Sequence, residues 1–284
     1  MTRDESIIEL GSWLGTPPGR YMLAWEQDRL DQAVADVFGY HALQLGLPEL
    51  EGLRNNRMPH RWVACDSLQP VTTLAAAAPL PQDSLLSTLL PPERVSLYCE
   101  FDALPLPNAS VDLVLLPHAL ELARDPHQTL REVERVLVPE GRVAISGFNP
   151  ASLWGLRQRG GRLRQGVVGA GLTRSLYLPS GGEFIGYWRL REWLRLLGFE
   201  VEIGQFGCWR PAVKTQSWLD RYGWMDRLGD RWWPVLGSVY FLVAVKRVRG
   251  MRLVGRVRSE RRPIHAAPAV VANRQRQGLT EAEH

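Results

Sequence analysis

Short apolar runs end at three polar residues that could bind or process a small ligand, Asp66, Asp102 and His118. Asp66 follows the run Arg61–Cys65 and lies 20 residues after Gly46. A carboxylate at that spacing, at the end of a second strand, can accept hydrogen bonds from both hydroxyls of a ribose. A turn aspartate that caps the following segment would fit the same spacing, so both interpretations stay open.

His118 is the weak candidate for a catalytic residue. Its imidazole titrates near neutrality and could therefore act as a general base. The alternative is a structural histidine beside a strand end, with its hydrogen bonds satisfied by neighbours. No other residue is assigned a catalytic role from the sequence.

The three cysteines do not predict a metal site or a redox centre. Cys65, Cys99 and Cys208 form no CxxC pair and no Cys/His cluster at metal-binding spacing. Cys65 and Cys99 lie inside predicted strands, where a free cysteine acts as a small buried apolar residue. The sequence thus predicts that no metal is bound.

The stretch from Val95 to Phe148 predicts the fold that positions the polar residues. The runs VSLYCEF and VDLVLL are typical of strands buried on both faces of a parallel sheet. Asp125-Pro126 predicts a helix start, and apolar residues then recur on one helical face at Leu130, Val133, Val136 and Leu137. RVAISGF begins the next strand.

Strand, helix and strand with short connections form a βαβ unit. The predicted class is therefore α/β, with a Rossmann-like, doubly wound, mostly parallel sheet and helices on both faces. In such sheets, ligands bind in the crevice beyond the carboxyl ends of the strands. We expect the functional site there.

Two segments of this stretch resemble motifs of a known family. Asp102–Val114 (DALPLPNASVDLV) is similar to the segment DAxxLPFPDxSFDLV, and Leu130–Gly141 (LREVERVLVPEG) to LREIxRVLKPGG, of the class I S-adenosylmethionine (SAM)-dependent methyltransferases of the type-11 group. The resemblance covers roughly residues 40–205, and is closest to a bacterial subgroup. It implies seven strands with an antiparallel last strand, SAM as the cofactor, and methyl transfer to an unidentified acceptor.

The resemblance also implies roles for individual residues. Asp102 would accept a hydrogen bond from the adenine amino group, with Ala103 and Leu104 beside the base; a loop-capping role is the alternative for Asp102. Pro117 and His118 follow the fourth strand, where the family presents residues towards the reactive methyl group. Methyl transfer depends mainly on positioning and desolvation, so the lack of a catalytic triad does not argue against it.

The loop after the first strand departs from the family pattern. Where the family has an acidic residue and three alternating glycines, this chain has Gln44, Gly46, Pro48 and Leu50. Proline lacks an N–H and leucine adds bulk, so the cofactor pocket is either reshaped or closed. Gln44 and Gly46 are the candidate cofactor contacts here. A closed pocket would make the chain a non-catalytic binding or regulatory protein; a Rossmann oxidoreductase is disfavoured because no G-x-G-x-x-G is present.

Further segments have simple predicted structures. Residues 1–20 are predicted to be irregular, and 21–38 to form a helix ahead of the first strand. Residues 155–171 are predicted to be a mobile loop, and 187–197 a second helix that Gly198 ends. An edge strand and a last strand are predicted at 199–203 and 239–245, and one helix and a loop between Asp66 and Val95.

Residues 207–237 form an insertion with five of the eleven tryptophans. One interpretation is a set of amphipathic helices that pack over the sheet edge. The other is an apolar lid or interfacial patch for a hydrophobic or membrane-bound substrate, because tryptophan favours interfaces. A small-molecule or lipid-like acceptor fits either interpretation.

The positive charge of the chain is concentrated at its end. Residues 246–284 hold ten Lys/Arg against three Glu, although the whole chain has a net charge of +4. We expect one methyltransferase-like domain over 1–246 and a basic, mostly disordered tail over 247–284, which could contact RNA or an anionic membrane. Without a leader or an 18-residue apolar run, the expected location is the cytoplasm.

Overall fold

The computed structural model describes residues 3–66, 95–168, 177–179 and 182–247. Within them, seven strands form one sheet in the order β3-β2-β1-β4-β5-β7-β6. The strands are β1 (His41–Leu45), β2 (His60–Cys65), β3 (Leu97–Tyr98), β4 (Val111–Pro117), β5 (Leu137–Phe148), β6 (Phe199–Gly207) and β7 (Val239–Lys246). Six strands are parallel, and β7 runs antiparallel between β5 and β6. The predicted α/β class and the antiparallel last strand are confirmed.

The helices of the described residues cover both faces of this sheet. They are α1 (Arg3–Leu14), α2 (Pro17–Ala35), α3 (Ala119–Leu122), α4 (Pro126–Val136), α5 (Leu153–Val168), α6 (Tyr187–Leu196), α7 (Gln216–Arg221) and α8 (Trp224–Trp232), with a 3₁₀ turn at Pro234–Leu236. The predictions of α2, α4 and α6 are confirmed. Gly198, which ends α6, has a φ of 84°, as a helix-terminating glycine requires.

Alternate residues of the central strands point to opposite faces of the sheet. Leu113 and Leu115 of β4 lie in one apolar cluster with residues of α1, α2 and α5. Val114 and Leu116 lie in a second cluster with residues of α3, α4 and α6. Because both faces are covered, the central strands consist almost entirely of apolar residues.

The prediction that residues 1–20 are irregular is wrong. Residues 3–14 form α1 and residues 17–20 form the first turn of α2, and Thr16-Pro17-Pro18 is a helix start rather than a loop. The Thr16 side chain accepts a hydrogen bond from the Gly19 N–H at 3.4 Å, and Pro17 occupies the first helical position, where no N–H is needed.

The prediction of a loop over residues 155–171 is also wrong, because residues 155–168 belong to α5. Its glycines disfavour a helix, but tertiary contacts outweigh this local preference. The Trp154 Nε1–H donates to the Arg210 carbonyl at 2.8 Å. A Cβ at Gly155 would lie 2.5 Å from the Pro150 carbonyl oxygen, so the close approach of the two backbones requires glycine.

Some predictions differ in extent or fall outside the described residues. The strand predicted from VSLYCEF is reduced to Leu97–Tyr98. The helix and loop expected between Asp66 and Val95 concern residues 67–94, which lie outside the described residues. The tail expected over 247–284 also lies outside them, except for Arg247. No helix among the described residues is long and apolar enough to cross a bilayer.

Asp112 of β4 fixes the start of the neighbouring strand β1. Its Oδ2 accepts hydrogen bonds from the backbone N–H of Tyr40 at 2.8 Å and of His41 at 2.9 Å. A Cβ at Gly39 would lie 2.4 Å from the Asp112 carboxyl carbon. The tight Gly39 turn therefore lies directly against this carboxylate.

Replacing Asp112 with Ala should lower the free energy of unfolding by about 1–3 kcal/mol, because two backbone donors lose a charged acceptor. Asp112→Asn keeps one acceptor oxygen and should lose less. Urea unfolding of both variants measures the difference. Equal stability of the wild type and Asp112→Ala would contradict this role.

Candidate functional site

The turn after β3 is held in place by α4. The Leu104 N–H donates to Glu132 Oε2 at 3.0 Å. The Arg135 guanidinium donates to the carbonyl oxygens of Leu104 at 2.9 Å and Leu106 at 2.8 Å, and to Asn108 Oδ1 at 2.7 Å. Its hydrogen bond to Glu132 lowers the pKa of that carboxyl. The two motifs singled out in the sequence thus form one hydrogen-bonded unit.

These hydrogen bonds hold in place the turn whose residues are expected beside an adenine ring. Leu104 is buried, Asp102 is half-buried and Ala103 is exposed. Phe101, just before them, is buried and contributes its ring to a cavity at the sheet edge. Asp102, Ala103 and Leu104 therefore lie next in sequence to the wall of that cavity.

The loop after β1 is organised by Gln44. Its Nε2 donates to the carbonyl oxygens of Leu47 at 2.9 Å and Leu50 at 2.8 Å, and its Oε1 accepts from the Gly52 N–H at 3.1 Å. Gly46 and Leu47 have φ values of 78° and 46°, so two consecutive residues adopt the left-handed conformation. The Gln44 side chain is thereby committed to shaping the loop.

A cavity of about 70 Å³ lies at the carboxyl ends of β1, β2 and β4. It brings together three of the predicted site residues, Gly46, Asp66 and Pro117. Pro48 also lines it, and Leu10 of α1 contributes to its wall. Leu50, at the position of the other missing glycine, is buried within the core under α1 and α2.

His118 is buried between two carboxylates. Its Nδ1 lies 2.8 Å from Glu121 Oε2 and its Nε2 lies 2.9 Å from Glu26 Oε1. The second oxygen of Glu121 accepts a hydrogen bond from the Phe148 N–H. His118 has a φ of 51°, an uncommon backbone conformation outside glycine. This Glu26–His118–Glu121 triad links α2, β4, α3 and the end of β5.

The triad keeps the imidazole protonated. Burial by itself would lower the pKa of His118, but the carboxylates of Glu26 and Glu121 outweigh it and raise the pKa to about 10. Burial raises the pKa of Glu121, although contact with His118 opposes that change. With both ring nitrogens donating, the imidazole has no lone pair to accept a proton. This geometry argues against His118 as a general base and assigns it a structural role.

A second, larger cavity of about 240 Å³ lies beside α3. Its lining includes Pro150, Gln158, Arg159, Glu183 and Phe184. Gly182, which also lines it, has a φ of 89°, and a Cβ there would lie 2.5 Å from the Glu121 carbonyl oxygen.

Both cavities are connected to α3 by their lining residues. The Glu183 N–H donates to the Glu121 carbonyl at 3.1 Å, which fixes the lining of the larger cavity to this helix. Leu122, the next residue, lines the smaller cavity. Lining residues of both cavities are thus held by the same short helix.

Neither a cysteine thiolate nor a metal-binding cluster is found at these cavities among the described residues. Cys65 lines the smaller one, and burial, followed by the nearby Glu49, raises the pKa of its thiol to about 11. Among the residues that the structure describes, no group of three or more His, Cys, Asp and Glu side chains could hold a metal ion.

Sequence reasoning missed Glu26, Glu121 and Leu10. Glu26 carried a usable signal, because it interrupts the buried stripe of Met22, Leu30 and Val34, which repeats every four residues along α2. A charge in the centre of an apolar stripe implies a buried partner. Nothing in the sequence indicated that His118 would be that partner.

Comparison with known proteins identifies the central segment. Residues 65–145 match a family described as a methyltransferase domain. The chain is 27% identical over 271 residues to the uncharacterized protein YafS of Escherichia coli K12, with 95% of each chain covered. It is 43% identical over 58 residues to malonyl-[acyl-carrier protein] O-methyltransferase of Halorhodospira halophila, a match covering 20% of each chain.

A solved structure shows the same fold. It contains the Haloferax volcanii Trm112 methyltransferase activator in complex with a candidate methyltransferase. The alignment has a TM-score of 0.55 and 18% identity, and covers 88% of this chain and 99% of the other. The likeness concerns the arrangement of the sheet and its helices.

The buried triad predicts how stability depends on pH. A histidine whose pKa is raised on folding contributes stability that is fully present below its unfolded pKa, about 6.5, and is lost as the pH rises through the folded value. The free energy of unfolding should therefore fall between about pH 6.5 and pH 10. Urea titrations at several pH values measure this slope.

His118→Gln is the matched variant for that measurement. It should lose most of this slope, and at neutral pH it should be destabilised by about 3–5 kcal/mol, because two buried carboxylates lose their cation. An unchanged slope in the variant would contradict the assignment. If the variant does not fold, a wild-type stability that rises over the same pH range would contradict it as well.

Proposed function

We propose that this chain, which belongs to the type-11 group of the class I methyltransferases, binds SAM in the smaller cavity and methylates an acceptor in the larger one. The observation that carries the proposal is that Gly46, Asp66 and Pro117 line one cavity at the carboxyl ends of three parallel strands. Ligands of doubly wound sheets bind at this edge.

The residues present fit SAM in chemical type. Asp66, at the end of β2, offers a carboxylate to the two ribose hydroxyls. Gly46 lets the backbone of the β1 loop approach the ligand, since it has no Cβ and its φ is positive. Asp102, with Ala103 and Leu104, would receive the adenine, on a turn that Glu132 and Arg135 hold rigid.

The size of the cavity places a condition on binding. Sites for small molecules measure about 300–1,000 Å³, whereas the cavity formed by the described residues measures about 70 Å³. Binding therefore requires the cavity wall to move. Leu10 of α1 and Pro48 of the β1 loop are the wall residues that could move without breaking the sheet.

When bound, SAM would supply an electrophilic methyl group carried by a sulfonium sulfur. After the transfer, the rest of the cofactor is a neutral thioether, which is the leaving group. The chain positions the reactants and excludes water, and these two effects account for most of the rate in such a displacement. Leu10, Phe101 and Leu122 give the smaller cavity an apolar wall. The triad fixes α3, whose residues line the smaller cavity and hold the lining of the larger one. A small-molecule acceptor, or the reactive end of a lipid-like one, is compatible with the larger cavity, whose volume of about 240 Å³ lies just below the range of about 300–1,000 Å³ for small-molecule sites.

A non-catalytic binding protein is the second candidate function. Pro48 in the cavity wall favours it, because this residue replaces a glycine and offers no N–H to a ligand. Leu50 does not favour it, since that side chain is buried in the core. The two candidates differ in one measurable property, the affinity for SAM.

Calorimetric titration with SAM and S-adenosylhomocysteine tests the proposal. We expect micromolar binding by the wild type. Asp66→Asn should weaken binding about 10- to 100-fold, because it removes a charged acceptor worth about 1.5–3 kcal/mol. Asp102→Ala should also weaken it. Asp28→Asn is the control, since Asp28 is exposed on α2, where it pairs with Arg29 at 3.1 Å and accepts from Gln32 Nε2 at 3.0 Å, and it does not line the smaller cavity.

The outcomes separate the residue assignment from the function. Tight binding that survives both Asp66→Asn and Asp102→Ala would mean that the assigned residues are wrong. No binding by the wild type at millimolar ligand would favour the non-catalytic alternative.

A further inference from the structure

The structure exposes a cluster of large apolar side chains in the tryptophan-rich insertion. Trp232 is 67% exposed, and Trp224 and Trp233 are each 56% exposed. We call this cluster the aromatic surface; it consists of Trp218, Trp224, Leu228, Trp232, Trp233, Val235 and Leu236. Large exposed apolar side chains concentrated in one short segment, residues 218–236, are typical of an interaction site.

Helix α8 presents an apolar stripe to solvent, next to the exposed charged residues Arg227, Asp230 and Arg231. Trp224, Leu228 and Trp232 recur every four residues and so share one face, and all three are exposed. On the inner side, Gly229 is buried against Trp209, whose ring would lie 2.2 Å from a Cβ at this position. Ordinary surface helices have the opposite arrangement.

The inner side of α8 is also fixed by polar contacts. Asp226 accepts from Arg210 Nε at 2.9 Å and from the Tyr21 hydroxyl. The Arg210 guanidinium lies 4.3 Å from the centre of the Tyr21 ring. Turning α8 to bury its tryptophans would break these contacts, so the outward orientation is built into the fold.

Basic residues border the aromatic surface. Arg227 and Arg231 flank its apolar stripe on α8, one turn apart. Arg221, at the end of α7, lies with its guanidinium 5.4 Å from the centre of the Trp218 ring. Indole rings favour the boundary between acyl chains and headgroups, and arginines next to them attract anionic headgroups.

We infer that the aromatic surface docks on an anionic lipid bilayer. The exposed charged residues of α7 and α8 are Arg221, Arg227 and Arg231 against Asp220 and Asp230, a balance of +1 that favours anionic headgroups over a second copy of the same surface. The apolar residues would enter the interface to the depth of the headgroups, as amphipathic interfacial helices do. The described helices themselves do not cross the bilayer.

The aromatic surface is rigidly joined to the candidate site. The Trp209 Nε1–H donates to the Trp233 carbonyl at 3.0 Å. Asn149, which follows β5, donates through Nδ2 to the carbonyls of Val235 at 2.8 Å and Gly237 at 2.9 Å. The next residue, Pro150, lines the larger cavity. Docking would therefore place the membrane next to the carboxyl edge of the sheet.

Sedimentation with lipid vesicles tests this inference on the full chain. The probes are vesicles of phosphatidylcholine alone and vesicles with about 30% phosphatidylglycerol. We expect binding to the anionic vesicles, weakened by salt, and a blue shift of tryptophan emission. The double variant Trp232→Ala/Trp233→Ala should bind at least about tenfold more weakly, because it loses two interfacial anchors. Arg227→Glu/Arg231→Glu should lose the preference for anionic lipid.

Trp188→Ala is the matched control, because Trp188 is 63% exposed but lies on α6. It should bind like the wild type. The inference is overturned if the wild type does not bind anionic vesicles, or if the tryptophan double variant binds them equally well, in which case other basic segments are responsible. Light scattering that shows a dimer dissociated by the double variant would also overturn it, in favour of a second copy.

The same variants separate docking from cofactor binding. The tryptophan double variant should bind SAM with the affinity of the wild type, since the aromatic surface lies outside the smaller cavity. Vesicle binding without SAM binding would refute the proposed function and leave the docking surface intact. SAM binding without vesicle binding would refute the docking surface and leave the proposed function intact.

Discussion

A protonated imidazole between two carboxylates holds the carboxyl edge of this sheet together. Removing three ionisable groups from water is costly, and the cost is recovered only when each charge has a well-placed partner. Here the ring nitrogens lie 2.8 and 2.9 Å from their carboxylates. The interactions join α2, the end of β4, α3 and the end of β5. They also offset the uncommon backbone conformation of His118, which costs about 1–3 kcal/mol.

The position of this triad explains the arrangement of the two cavities. Glu121 belongs to α3, and its carbonyl oxygen contacts the segment that lines the larger cavity. Leu122 follows directly and lines the smaller one. An ionic network that fixes this short helix therefore also fixes lining residues of both cavities. Gln44 does the same for the β1 loop, where its side-chain hydrogen bonds hold a turn that has glycine at only one of the three positions expected from the family pattern.

The insertion between β6 and β7 shows how packing can reverse a familiar pattern. Gly229, Asp226 and Trp209 fix α8 from the inside, and leave Trp224 and Trp232 on the outside. The apolar periodicity of a helix indicates which residues share a face. It does not indicate whether that face packs on the protein core or faces away from it. In this chain the core covers the glycine side.

The sequence by itself determined the class of the fold, the central βαβ unit and the residues that follow each strand. These depend on short-range patterns, such as the apolar runs of β4 and β5 and the Asp125-Pro126 helix start. Only the tertiary structure decided that 155–168 is a helix, that His118 is a buried cation, and that the tryptophans of α8 face outward. The pairing of Glu26 with His118 spans 92 positions in the chain, and α5 depends on contacts with Arg210 and Leu178. The local sequence preference cannot predict such contacts, because their energy arises only when distant segments pack together.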